Sequence, residues 1–229
     1  MRKIMMCFLW VCCITIVHAQ NADLLVKKVK AKLEQVNDYV AEGKMKTDVA
    51  FIKAPLGKVV VYYKKPNKIK LIKGKGISIL PKGGITMNTS SIIGMNNYRA
   101  IDAGDTTING NKTKIVVLIP LDINSEVSIT YLYIDEANLL IRKSATTTKE
   151  NGSFEMEMFY GAYTNFGLPD KMIFSFNLKD YRMPKGVTLD FDDDLSKEEK
   201  LKLKKKKGKV EFTYTKYTIN KGVDDSMFK

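Results

Sequence analysis

Residues 57–71 read Gly-Lys-Val-Val-Val-Tyr-Tyr-Lys-Lys-Pro-Asn-Lys-Ile-Lys-Leu. Val59, Val61 and Tyr63 alternate with Lys58, Val60, Tyr62 and Lys64, the period of a strand with one buried face. Pro66-Asn67 interrupts the run, and Ile69 and Leu71 resume it between Lys68, Lys70 and Lys73. Two alternating runs around a short turn predict an antiparallel hairpin. The same period extends both ways. Upstream, Met45, Thr47, Val49 and Phe51 alternate with Lys46, Asp48 and Ala50, and Pro55 and Gly57 mark the turn between. Downstream, further strands are predicted at 77–80, 114–119, 127–134, 138–148, 154–160, 172–176 and 209–219. Turn spacings of about ten residues are those of an antiparallel meander.

One segment follows a different period. Leu25, Val29, Leu33, Val36 and Val40 recur at spacings of three and four, a single helical stripe. Asn21 or Asp23 can cap its start, and Gly43 can end it. Lys27, Lys28, Lys30 and Lys32 cover the rest of its surface. Such a helix can lie on a membrane; packing of its stripe onto the sheet is the preferred reading. One helix against about ten strands makes the fold class α+β, dominated by β.

Residues 81–111 break the pattern with Gly83-Gly84, Gly94 and Gly104, yet they carry Ile85, Met87, Ile92, Ile93 and Met95. Flexible backbone with adaptable apolar side chains suits a lid, with Ile92, Ile93 and Met95 as its apolar side, or a static plug.

The first nineteen residues hold all three cysteines, the one histidine and the one tryptophan. Arg2 and Lys3 precede the apolar run 4–17, and Val17-His18-Ala19 supplies small residues where a signal peptidase reads. Cleavage between Ala19 and Gln20 is expected, with export to the periplasm and a single domain over 20–229. The exported chain then lacks thiol and imidazole. That removes Cys nucleophiles, Cys/His zinc sites and a His general base. Carboxylates, Lys, Tyr, Ser and Thr remain, but no Gly-x-Ser-x-Gly elbow is present for a lipid hydrolase. Glu155 and Glu157 share a strand face opposite Phe154, Met156 and Met158, and so read as surface charge. The acidic run Asp190, Asp192, Asp193, Asp194 lacks the glycine and distal glutamate of a calcium loop. No metal, cofactor or catalytic residue is assigned.

The formal net charge is +13, and removal of Arg2 and Lys3 lowers it to +11. Such a balance favours anionic surfaces or polymers as partners. The bases are overwhelmingly lysine, which weighs against base-specific nucleic-acid recognition. A basic run, Lys197 to Lys209, includes Lys200, Lys202 and the unbroken Lys204 to Lys207, and Ser196 and Glu199 at its start have capping-box spacing.

Taken together, these segments resemble the LolA/LolB-like superfamily of periplasmic lipoprotein carriers. The resemblance is carried by the early helix 24–40, by Gly57 to Leu71 with its Lys65-Pro66 turn, and by Tyr131-Leu-Tyr-Ile-Asp135 before Leu139-Leu-Ile-Arg142. Tyr160-Gly161, Tyr163, Leu168-Pro169-Asp170 and the ending 217–228 add to it. The resemblance implies a strongly curved, unclosed antiparallel barrel with helices covering its concave face. It implies a monomeric, non-enzymatic carrier or binder of the acyl chains of a lipoprotein or lipid. An inner-membrane exporter and an outer-membrane acceptor are its implied partners. The carrier proper has an arginine on the first strand after the helix, tied to holding cargo; here that strand offers Lys44, Lys46 and Lys53. Strand parity puts Val49, Phe51, Val61, Tyr63, Ile129, Tyr131, Met158 and Phe174 on the inner face as candidates to line a lipid cavity. An envelope interaction or stress-sensor module, binding anionic membrane or polymer through Lys204 to Lys207, is the alternative from a different class.

Overall fold

The structure is a computed structural model that describes residues 21–48, 56–66, 68–73, 97–150, 152–177 and 207–228. Its described part is one helix, α1 (21–33), and ten strands. The strands are β1 (Asp38–Asp48), β2 (Gly57–Lys64), β3 (Lys68–Lys73), β4 (Tyr98–Ile108), β5 (Asn111–Pro120), β6 (Val127–Asp135), β7 (Leu140–Thr148), β8 (Ser153–Phe159), β9 (Lys171–Asn177) and β10 (Lys207–Ile219). All belong to one sheet in the order β3-β2-β1-β10-β9-β8-β7-β6-β5-β4, and every described pairing is antiparallel.

That order has a simple logic. The first and last strands, β1 and β10, pair with each other, so the meander nearly closes on itself. The two outermost strands, β3 and β4, are consecutive in the chain and do not pair. A single core cluster nonetheless takes Val61 from β2, Ala100 from β4 and Ala22, Leu25, Val26, Val29, Leu33 and Val36 from the helix segment. Both ends of the sheet must therefore roll around α1. The result is a β-dominated α+β fold: a curved, unclosed barrel with a seam between β3 and β4 and one described helix on its concave face.

α1 stops earlier than its periodicity predicts. Its stripe is buried as far as Val36, but Val40 lies on β1 and Gly43 does not cap the helix. The reason is tertiary. The Lys65 ammonium and the Asn220 side-chain amide donate to the carbonyls of Glu34 and Gln35, while Asn220 Oδ1 accepts from the backbone N–H of Asn37 at 2.7 Å. Asn21 and Asp23 sit within the helix rather than capping it, and Asp23 pairs with Lys27 at 2.7 Å. Gly43 instead permits a bulge where β1 meets β10: a Cβ there would stand 2.3 Å from the Thr213 carbonyl oxygen.

The break predicted over 81–111 is shorter than the sequence suggests. Residues 98–108 form β4, whose register with β5 shifts between Asp102 and Asp105, around the positive-φ Gly104. The polar, glycine-containing stretch hides a strand whose edge position excuses it from regular alternation. The strand expected at 77–80 and the basic run Lys204 to Lys206 lie outside the described residues; Lys207 opens β10.

Candidate functional site

The inner face of the sheet can be read across the strands, row by row. One row joins Val116, Leu132, Ser144, Met156, Phe174 and Val210. The next joins Met158, Met172, Phe212 and Met45, and a third joins Leu71, Val61, Ala41 and Tyr217. These side chains are buried except Leu71, which packs against the core from the edge strand. Phe174 is at the centre, its ring 5.5 Å from Phe154 and 5.4 Å from Phe176. Four methionines lie within the first two rows, unbranched side chains that adapt to irregular apolar shapes. Among the described residues the buried polar side chains are hydroxyls, with Asp135 the one carboxylate. Such a surface can hold hydrocarbon.

Of the predicted lining residues, Val61, Tyr63, Met158 and Phe174 meet on this face, each at most 3 % exposed. Ile129 and Tyr131 do not. In β6 the buried positions are Thr130, Leu132 and Ile134, and Tyr131 is 38 % exposed on the convex side. Both parities of β6 are apolar, so alternation does not orient it. A polar residue goes inside because Thr130 and Thr146 satisfy each other, their hydroxyl oxygens 3.1 Å apart. Val49, Phe51, Ile92, Ile93, Met95, Ala19 and Gln20 lie outside the described residues. The structure also places Met45, Met156, Met172 and Phe212 on this inner face, and the signal that could have found them is the alternation of their own strands. Lys44 and Lys46 point away from the interior, since Met45 and Thr47 take the buried positions of β1.

The two ends of the barrel differ. α1 runs between them: Asp23 and Lys27 act electrostatically on Tyr98 at the start of β4, whereas Lys32 donates to the Asn138 carbonyl at 2.7 Å and Leu33 packs over Gly167. The end where the helix stops is sealed. The Tyr217 ring packs edge-on against Tyr39 at 5.5 Å and Tyr163 at 4.8 Å and tilted against Tyr214 at 5.2 Å, and Tyr39 packs tilted against Tyr63 at 5.1 Å. The Tyr217 hydroxyl donates to the Pro169 carbonyl, and the Tyr163 hydroxyl accepts from the Tyr217 N–H. Burial pushes the Tyr39, Tyr160, Tyr214 and Tyr217 phenols far above their ordinary range, so they stay neutral. Beside them Asp135 accepts from Arg142 Nη2 at 2.7 Å and from Asn138. Burial alone would raise the Asp135 carboxyl, but these donors outweigh it and hold the group below the usual carboxylate range. Asp135 and Arg142 thus form a structural clasp on the β6–β7 hairpin, and Arg142 also lies over the Tyr160 ring at 5.4 Å.

The end where the helix starts carries exposed apolar side chains among the described residues. Leu24 on α1, Leu56 before β2, and Leu121 and Ile123 in the β5–β6 loop are exposed there, and Ile72 in β3, Ile101 in β4 and Ile119 in β5 are exposed on the adjoining convex face. They flank the seam: Leu56 and Ile72 on the β2–β3 side, the others on the β4–β5 side and on the helix.

This geometry has counterparts among solved structures. A candidate outer membrane lipoprotein-sorting protein domain from Vibrio parahaemolyticus superposes with a TM-score of 0.60 at 14 % identity, covering 92 % of this chain and 97 % of its own. The fold is LolA-like. A LolA superfamily protein from Nitrosomonas europaea superposes at 0.51 with 12 % identity, over 89 % of this chain and 97 % of its own. A DUF1329 family protein from Desulfovibrio piger gives 0.54 at 10 % identity, over 93 % and 97 %. No protein-family profile and no curated protein matches the sequence. At these identities the likeness establishes the LolA-like fold, and function has to be argued from the site.

Proposed function

We propose that this protein is a non-enzymatic periplasmic carrier or binder of acylated cargo, a lipoprotein or a lipid. Residues 1–19 are its cleaved export signal and 20–229 its single domain. The observation that carries the reading is the inner face itself: apolar and methionine-rich, with no Asp, Glu, Lys or Arg in the three rows described, on a sheet left unpaired between β3 and β4. The LolA-like fold, shared with a candidate lipoprotein-sorting domain, supports it. Acyl chains that part α1 from the sheet, or enter beside it, exchange water for hydrocarbon contact at about 0.8 kcal/mol per methylene. Val61, Tyr63, Met158 and Phe174 are the lining residues of choice, with Met45, Met156 and Met172 adapting around the chain. Lys44 and Lys46 face outward, so this chain holds its cargo by apolar contact rather than by an interior cation on β1. An inner-membrane exporter and an outer-membrane acceptor are the partners such a carrier requires.

Native mass spectrometry of protein purified from an envelope extract tests this. The expected result is a co-purifying mass equal to a lipid or an acylated protein. Recovery of the bare chain alone, also after incubation with lipid, contradicts it.

A further inference from the structure

Leu56, Leu121 and Ile123 are exposed at one end of the barrel, on both sides of the seam, with Ile72 on the convex face next to them and a cationic face beside it. Leu56 is 60 % exposed, Leu121 54 % and Ile123 86 %. Of the other large hydrophobics exposed among the described residues, Ile101 and Tyr131 lie on the convex wall in one row through Val117, and Phe166 lies at the sealed end. Single exposed aliphatics are ordinary, but several from separate segments converging on one rim mark an interaction surface. The convex face beside Leu56 and Ile72 identifies the occupant. Lys44 and Lys58 stand directly opposite each other across β1 and β2, both exposed, and neither has an ion pair among the described residues. Like charges at facing positions destabilise a sheet unless something anionic lies over them. Lys46 and Lys209 are exposed on adjoining strands of the same face, Lys46 opposite Glu211, which pairs with Lys171, and Lys209 opposite Asp48, with Glu42 the other nearby acid. On the other flank, Asp122 and Glu126 share the β5–β6 loop with Leu121 and Ile123, so the cationic contact belongs to the β1–β2 side.

We propose that this rim docks the protein on an anionic bilayer surface, with Leu56, Ile72, Leu121 and Ile123 entering the interface and Lys44 and Lys58 meeting the headgroups. No helix among the described residues is long and apolar enough to cross a membrane, so the docking is peripheral. It brings the seam face-down onto the lipid, the orientation in which an acyl chain can pass between bilayer and barrel without crossing water. Apolar insertion and lysine attraction are each weak alone and act together, which makes the attachment reversible and salt-sensitive.

Co-sedimentation of residues 20–229 with vesicles tests the proposal. The chain is expected to pellet with mixed phosphatidylglycerol–phosphatidylcholine vesicles, to release at high salt, and to stay in solution with phosphatidylcholine alone. Leu121→Asp/Ile123→Asp and Lys44→Glu/Lys58→Glu should each lower the partition by about tenfold or more. All four side chains are exposed, so unchanged thermal unfolding will show that the fold is intact. A wild-type chain that does not pellet, or variants that pellet like it, overturns the proposal. So does rim-dependent self-association in sedimentation velocity, which would assign the rim to a second copy. Acyl adducts are scored separately by native mass spectrometry. A rim variant that keeps its adducts but leaves the vesicles shows docking and cargo binding to be distinct, and loss of adducts without loss of docking counts against the carrier reading alone.

Discussion

Thr130 and Thr146 face each other across β6 and β7 inside the barrel, their hydroxyls 3.1 Å apart and both residues buried. Their pairing fixes which face of β6 is inner. It puts Leu132 in the core and turns Tyr131 outward. Removing one hydroxyl leaves the other buried and unpaired, at a cost of about 1–3 kcal/mol, whereas removing both is nearly neutral. Thr130→Val and Thr146→Val should therefore each destabilise, and the double variant should recover most of the loss in urea unfolding. In the same assay Leu132→Ala should cost about 2–5 kcal/mol and Tyr131→Ser much less. The reverse order would put the strand in the other register.

Gly43 sits where β1 and β10 shift register, and the obstacle to a side chain there is backbone, the Thr213 carbonyl. Backbone cannot swing aside as a side chain can. Gly43→Ala should destabilise by about 1–3 kcal/mol. Gly110→Ala is its control. Gly110 lies in the β4–β5 turn at φ +80°, and a Cβ added there would meet nothing within 4 Å, so strain rather than collision sets its smaller cost. Equal melting temperatures for wild type and Gly43→Ala would remove the bulge from the account.

The Asp135 carboxylate predicts an acid limb. Its folded pKa lies below the unfolded value of about 3.9, so the unfolded chain binds more protons through that interval. The stabilisation is present above about pH 4 and is lost as pH falls through the folded value. In Asp135→Asn, the fall of melting temperature between about pH 4 and pH 2 should be shallower than in wild type. At neutral pH, Arg142→Leu should cost about 3 kcal/mol, because it leaves the buried carboxylate without its cation. Parallel pH profiles for wild type and Asp135→Asn would show that the clasp contributes nothing.

The hairpin around Lys65-Pro66, the order of the later strands and the inner placement of Val61, Tyr63, Met158 and Phe174 are legible because one parity in each strand is plainly more apolar than the other. β6 is not, since Ile129, Tyr131 and Tyr133 compete with Leu132 and Ile134, and only the Thr130–Thr146 bond across strands decides between them. The end of α1 is hidden as well. Val36 and Val40 extend its spacing, but the groups that stop it are Lys65 and Asn220, which are 31 and 185 residues from the carbonyls they bond. β4 is masked by Asp102, Gly104 and Asp105, residues a sheet edge tolerates and a central strand does not. Local periodicity cannot contain such long-range terms.

The central claim is that the methionine-lined inner face receives acyl chains, and the methionine methyl groups report on it directly. In a protein labelled with ¹³C at methionine methyls, Met45, Met156, Met158 and Met172 are buried on that face, while Met227 lies in the C-terminal turn Asp225–Phe228. On adding a saturated lysophospholipid, the account predicts shifts and intermolecular NOEs from chain methylenes to Met158 and its three neighbours, with Met227 unmoved. Buried methyl signals that stay in place without NOEs, while lipid is in excess, would mean that the interior is a filled core, and would contradict the carrier reading.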